Sequence, residues 1–262
     1  MVQVRTKTYS GTIILLTVTF LIGMINPVIG QKNSETWLPF APAPVGEFGG
    51  TIVTEFGQRA IDSDTIHVRR VMLRMGWTPT ANIALWLEGG LASLYLDNDL
   101  AKMQGDFGTS VGAGTTLRWS SARIFGFNPY VSGRGSMFIS RLGNEKMVSS
   151  GLTRTTRSRF EWWEGFGSVG FSGDLGGAWL YFGACCRVLY QKENRLTETS
   201  NQLTQTSASR YKEMTTYQSA LQPGVAMGLQ VPLKWRFNTN MTVEIYEEGF
   251  KAGFSIGQWG RP

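Results

Sequence analysis

The sequence predicts an all-β protein: an up-and-down antiparallel transmembrane β-barrel of about ten strands. Three observations carry this. First, Trp179–Gln191 alternates. Leu180, Phe182, Ala184, Cys186, Val188 and Tyr190 form an apolar set, while Tyr181, Gly183, Cys185, Arg187 and Gln191, interrupted only by Leu189, form a small and polar one. Successive side chains of a strand point to opposite faces, so one face meets apolar surroundings and the other polar. Second, similar segments recur down the chain, each about the ten residues that a tilted strand needs to cross a bilayer. Third, the connections between them alternate between short and long, as in barrels with short periplasmic turns and longer outer loops.

Residues 1–30 read as a signal peptide. Arg5 and Lys7 give a positive start, Gly11–Met24 is an apolar run, and Val28 and Gly30 suit cleavage after Gly30. Pro27 and Gly30 argue against an uncleaved anchor helix. Residues 31–46, QKNSETWLPFAPAPVG, form a Pro-rich periplasmic lead, with Pro39, Pro42 and Pro44 favouring an extended tail. The barrel is assigned to residues 47–260. Residues 1–30 carry two cations and no acid, so the rest holds 23 Lys+Arg against 19 Asp+Glu, a net charge of +4. In an exported chain this balance suits outer-membrane lipid and lipopolysaccharide phosphates or a charged lumen, and not nucleic acid.

The ten strands fall at Glu47–Ala60, Thr65–Thr78, Ile83–Leu96, Asp106–Trp119, Ile124–Ser140, Ser158–Gly173, Trp179–Lys192, Thr216–Val231, Trp235–Tyr246 and Phe250–Trp259. An even count leaves both ends in the periplasm. The count drops to eight if the short connection near Ile61–Asp64 or Glu247–Gly249 is not a hairpin. Trp77, Trp119, Trp179, Trp235 and Trp259 lie beside the short turns or the C-terminus and are assigned to an aromatic girdle at that rim.

With the apolar set of each strand facing lipid, the inward set is mostly Gly, Ser and Ala, as a narrow bore requires. Among these sit ten charges: Glu55, Arg70, Arg74, Glu88, Arg118, Arg134, Glu164, Arg187, Glu244 and Lys251. Residues opposite each other in a hairpin have numbers that sum to a constant. A turn centred between 61 and 64 sets Glu55 opposite Arg70, and one at 247–248 sets Glu244 opposite Lys251. The 79–82 turn leaves Glu88 opposite Arg74 or Met72, with Arg70 and Arg74 both in reach, and a turn over 174–177 sets Glu164 opposite Arg187. Pairing offsets the desolvation of a confined carboxylate. Arg118 and Arg134 are left as surplus cations.

Two connections are candidate recognition loops. Leu142–Arg159 carries Lys146, Arg154, Arg157 and Arg159, suited to anionic lipid. Glu193–Arg210 is polar and near neutral. Cys185 and Cys186 are strand neighbours pointing to opposite faces, unsuited to a disulfide or a metal site. The single His67 has lipid-side parity and no Ser-centred motif beside it. No cofactor or metal site is expected.

Asn128-Pro-Tyr-Val-Ser-Gly-Arg-Gly135 resembles the strand start of small Gram-negative outer-membrane barrels of the outer-membrane-protein-A-like and opacity-protein-like superfamily. Lys251-Ala-Gly253-Phe-Ser-Ile256 resembles their C-terminal assembly signal, although Gly260-Arg261-Pro262 follows Trp259 where the family ends on an aromatic. The resemblance covers about Glu47–Trp259 and implies an outer-membrane location and recognition by the barrel-assembly machinery. It does not choose a function. The expected function is a non-enzymatic barrel with a salt-bridged lumen, structural or acting through its surface loops. The alternatives are a narrow porin-like channel, a lipid-modifying outer-membrane enzyme and a soluble ligand-binding barrel. The oligomeric state is left open.

Overall fold

The computed structural model describes residues 38–41, 43–61, 64–97, 102–149, 152–201, 207–219 and 221–260. The segment expected to be a signal peptide, residues 1–30, and the start of the lead lie outside the described residues. Twelve strand segments follow one another: β1 Phe48–Ile61, β2 Asp64–Thr80, β3 Ile83–Asp97, β4 Lys102–Asp106, β5 Gly108–Arg118, β6 Asn128–Ser149, β7 Leu152–Leu175, β8 Ala178–Asn201, β9 Ser207–Gln218, β10 Gln222–Pro232, β11 Phe237–Tyr246 and β12 Gly249–Gly260. All pairings are antiparallel between neighbours, and β1 pairs with β12, so the sheet closes on itself.

The twelve segments trace ten passages across the barrel. β4 and β5 both lie between β3 and β6, split at Phe107. β9 and β10 both pair with β8. Their break falls at Ser219, whose N–H donates to Leu189 O and whose Oγ accepts from Leu189 N. Both of the short hairpins that left the count open are formed, with Ile61 paired to Asp64 and Tyr246 to Gly249.

Register fixes the size of the bore. A circuit from Trp162 on β7 runs by paired residues through Phe138, Ser110, Gly90, Met72, Val53, Ser255, Asn240, Gln230 and Trp179. It returns to β7 at Asp174, twelve residues further on. Ten strands with that offset imply a tilt of about 40° and a backbone radius of about 10 Å, a bore that side chains can fill.

The outer wall is apolar. Ile52, Val71, Leu73, Met75, Leu85, Leu87, Leu91, Val111, Val131, Val169, Phe182, Val188, Val225 and Ile256 are all exposed. On β3 this face runs from Leu85 to Tyr95, about 25 Å of tilted strand, the height of a membrane barrel's lipid band. The two faces of Trp179–Gln191 fall as the alternation predicts. Tyr181, Cys185, Arg187, Leu189 and Gln191 are buried inside, and Phe182, Val188 and Tyr190 are exposed outside.

Three expectations are corrected. Leu142–Arg159 and Glu193–Arg210 are largely strand: residues 142–149 and 152–159 belong to β6 and β7, and 193–201 and 207–210 to β8 and β9, which continue as paired strands beyond the lipid band. These segments lack an apolar face, but Thr153, Thr155, Thr156, Thr197 and Thr199 favour strand, and each pairs across to a neighbour. Second, residues 38–41 and 43–46 do not trail away from the barrel but enter the mouth formed by the short turns. Leu38, Phe40, Ala41 and Ala43 are buried there. Third, the girdle at that rim consists of Trp77, Trp119 and Trp235, which are exposed, with Phe48 stacked on Trp77 at 5.5 Å. Trp259 is buried and Trp179 half-buried, and both pack on Ala43 inside.

Candidate functional site: a filled and charged lumen

The lumen is layered. At the outer end Ile66, Ala92, Leu94, Phe138, Phe160, Trp162 and Leu189 form an apolar layer. Below it lies a layer of charge. At the inner end Trp86, Tyr130, Phe166, Tyr181 and Tyr246 pack with Leu38 and Phe40 of the lead. The inward set is therefore bulkier than its many glycines suggest. Glycine supplies the room: a Cβ on Gly114 would lie 2.4 Å from the Trp86 indole, and one on Gly228 would lie 2.2 Å from the Tyr181 ring.

All ten charges assigned to the lumen are buried. Arg134 sits at the centre. Its Nη1 is 3.2 Å from Glu55 Oε1, and its Nη2 is 3.1 Å from Glu244 Oε1 and 3.6 Å from Glu164 Oε1. Arg70 lies 2.8 Å from Glu164 and 3.6 Å from Glu55, and donates to Ser136 Oγ at 3.0 Å. Lys251 Nζ is 3.0 Å from both Glu55 and Glu164. The pairs Arg134–Glu55, Arg134–Glu244, Arg70–Glu164 and Lys251–Glu164 each join strands four positions apart round the ring of ten, so they cross the bore. Arg74 and Glu88 form a separate pair at 2.7 Å.

The hairpin expectations meet mixed outcomes. Glu55 is opposite Arg70, Arg74 opposite Glu88 and Glu244 opposite Lys251. Glu244 nevertheless bonds across the bore to Arg134, and Lys251 to Glu164. Glu164 is opposite Leu189, not Arg187, which is opposite Phe166. The reason is the turn. Leu175 pairs with Ala178 across a two-residue turn at Gly176 and Gly177, both with positive φ (70° and 107°). This shifts the partner by two residues and preserves the face. Arg187 instead donates to Gln222 Oε1 at 2.9 and 3.1 Å and lies over the Tyr246 ring at 4.0 Å.

Nor are the two surplus cations equivalent. Arg134 is the hub of the network. Arg118 lies apart at the inner end, donating to Ala81 O at 3.1 Å and lying over Trp179 at 5.5 Å. A further charge escaped the sequence reading. Arg59 is buried at the outer end, 2.8 Å from Glu248 and 2.6 Å from the Tyr217 hydroxyl. Glu248 also accepts from Gln222 Nε2. The face parity of β1 could have revealed Arg59, which follows Glu55 by four residues. Each of the six buried arginines, at 59, 70, 74, 118, 134 and 187, lies over an aromatic ring. Such stacking adds attraction when both groups are desolvated.

The lead seals the inner mouth by a regular device. Thr116 Oγ1 donates to Pro39 O at 2.8 Å, Gln230 Nε2 to Ala41 O at 2.9 Å, and Thr78 Oγ1 to Ala43 O at 2.9 Å. Three lumenal side chains thus meet alternate carbonyls. Proline has no N–H, so Pro39 and Pro44 bury no donor that the wall would have to satisfy. Phe40 sits 4.7 Å from Tyr181 and 5.9 Å from Phe166.

Of the cations assigned to the anionic-lipid loop, Arg157 and Arg159 are exposed on β7, and Arg159 lies 3.5 Å from Glu161. The side chains of Lys146 and Arg154 lie outside the described residues. His67 faces outward between Phe56 at 5.9 Å and Tyr95 at 5.6 Å. With Trp163 and Tyr190, which pair across β7 and β8, these rings mark a second aromatic zone at the outer rim. No cluster suited to a metal ion occurs among the described residues.

Fold and site together define a closed antiparallel β-barrel of the outer-membrane type, apolar outside and filled by charge and by its own N-terminal segment. No family model matches the sequence, and no curated protein matches it. Among solved structures it is similar to the translocator domain of the autotransporter NalP from Neisseria meningitidis, at 8% identity over 97% of this chain and 100% of that one, with a TM-score of 0.47. It is also similar to the outer membrane protease OmpT from Escherichia coli, at 7% identity over 85% and 97% of the two chains and a TM-score of 0.43. A third is an outer membrane channel from Pseudomonas putida F1, at 9% identity over 88% and 99% and a TM-score of 0.34.

Proposed function

We propose that this chain is a non-enzymatic, non-conducting barrel of the Gram-negative outer membrane that acts through the strands it raises above the lipid. The observation that carries this reading is the filled bore. Charge pairs span it from wall to wall, and the lead occupies its inner mouth. Pockets of about 20 Å3 and 10 Å3 flank the charge layer, small beside the side chains that fill it. Planar-bilayer recording of the purified protein tests this. We expect no steady single-channel current. A stable conductance would replace the reading with that of a narrow channel, which the surplus of lumenal cations would bias toward anions.

The outward-facing lipid band and the exported start of the sequence support an outer-membrane location, with residues 1–30 removed. Edman sequencing of the mature protein should begin at Gln31. The raised part of β6–β9 carries Arg157, Arg159, Arg210 and Lys212 on its exposed surface, suited to lipopolysaccharide phosphates. His67, set between the rings of Phe56 and Tyr95 on the lipid side, supports a structural role. A lipid-modifying activity that vanished in His67→Ala would contradict the non-enzymatic reading.

A further inference from the structure

The outer side of the charge layer carries one more positive charge than negative. Five cations, Arg59, Arg70, Arg134, Arg187 and Lys251, face four carboxylates, Glu55, Glu164, Glu244 and Glu248. Arg187 accounts for the difference. Its guanidinium has a neutral amide oxygen and a ring face as partners, and among the described residues no carboxylate lies within ion-pair distance of it. Arginine does not shed its proton in proteins. The carboxylate that Arg187 feels is Glu164, which Arg70, Arg134 and Lys251 already engage, so positive charge is in excess where burial makes it costly.

Arg187 also borders a cavity. The space of about 20 Å3 at the top of the charge layer is lined by Arg59, Arg70, Arg187 and Lys251, by the carboxylates Glu55 and Glu164, and by Trp162 and further residues of β1 and β2. The same residues hold donors without acceptors. Arg59 Nη1, Arg70 Nε and Trp162 Nε1 are buried N–H groups with no hydrogen-bond partner. Both Glu164 and Glu55 are already engaged by Arg70, Arg134 and Lys251, so the cavity's field is set by the cations.

We propose that this cavity binds one small monovalent anion of the halide class, held chiefly by Arg187 and completing the charge balance of the network. Four cationic side chains and an indole N–H converge on this small space, a donor set suited to one compact monovalent anion. The anion is a bound structural ligand, not a permeant one, since the lead occupies the mouth below it.

Thermal unfolding of the full mature protein in detergent, at fixed ionic strength and scan rate, tests the site. Replacing potassium gluconate by potassium chloride or bromide should raise the midpoint by about 4 °C, the size of shift expected when a ligand saturates a site in a domain of this length. Arg187→Gln, which removes the excess charge, should abolish that increment. Equal midpoints in gluconate and halide, or an increment that survives in Arg187→Gln, would overturn the proposal. Should the variant fail to fold, bromide-soaked crystals of the unaltered protein decide the matter. An anomalous peak beside Arg187 supports the site, and an empty cavity there refutes it.

Discussion

The barrel body and the strands raised above it obey one rule and differ in what they face. In the body of β8, Phe182, Val188 and Tyr190 turn outward and Cys185, Arg187 and Leu189 inward. Above Tyr190 the alternation of exposure fades, and Lys192, Asn194, Leu196 and Glu198 are all half-buried. The backbone pairing continues without a break to Asn201. Strand pairing is therefore independent of the membrane, whereas the apolar face is imposed by it. The level at which one ends and the other continues lies at the Trp163–Tyr190 pair.

If that division is real, substitutions of one kind should have unequal costs in the two regions. The largest contrast lies in charge. Removing Glu164, which serves Arg70, Arg134 and Lys251, should destabilise the barrel by about 3–5 kcal/mol, because it leaves buried cations uncompensated. Glu193→Ala above the membrane, where the partner Arg195 is half-exposed, should cost under about 1 kcal/mol. Urea titration of folded protein in micelles reads both, and comparable losses would break the comparison. Next comes the wall. Leu87→Arg at the middle of the lipid face should cost about 2–4 kcal/mol in bilayers, and Met214→Arg on β9, equally open to its surroundings, about 0.5 kcal/mol or less.

A smaller effect tests the inner mouth. Phe40→Ala should loosen the lead with little change in the unfolding midpoint of the barrel. Its readout is Cys185, buried in the same aromatic cluster. In a Cys186→Ala background, Cys185 should resist a maleimide in the unaltered lead and react once Phe40 is truncated. Unchanged labelling would mean that the lead is not what shields it. The mildest test is protease on intact cells: trypsin should cut at Arg157, Arg210 or Lys212 and spare Arg70 and Arg134. Cleavage in the lumen would remove the distinction altogether.

Much of this was legible in the residues. Which side of each strand faces the bore follows from alternation alone, and every inward charge lies on its expected face. Partners within one hairpin were legible where the turn length was known, as for Glu55–Arg70, and misplaced where it was not, as for Glu164. The wall-to-wall pairs Arg134–Glu244 and Lys251–Glu164 were out of reach. They depend on the twelve-residue offset round the closed sheet, which is a sum over ten registers and not a property of any one hairpin. The raised strands were hidden because nothing apolar marks a face there. The lead was misread because three prolines signal extended chain equally well in water and in a cavity that offers donors to its carbonyls.

The lead is joined to β1 through Gly46 and Glu47, a linker of two residues. Its occupancy of the mouth is therefore intramolecular, with an effective local concentration of about millimolar or more. A free peptide of the same sequence, or any periplasmic segment offering alternate carbonyls, competes against that standing concentration and not against an empty groove. Thr78, Thr116 and Gln230 thus form a receptor that is born with its ligand attached, and cutting the tether would remove that advantage over an outside ligand.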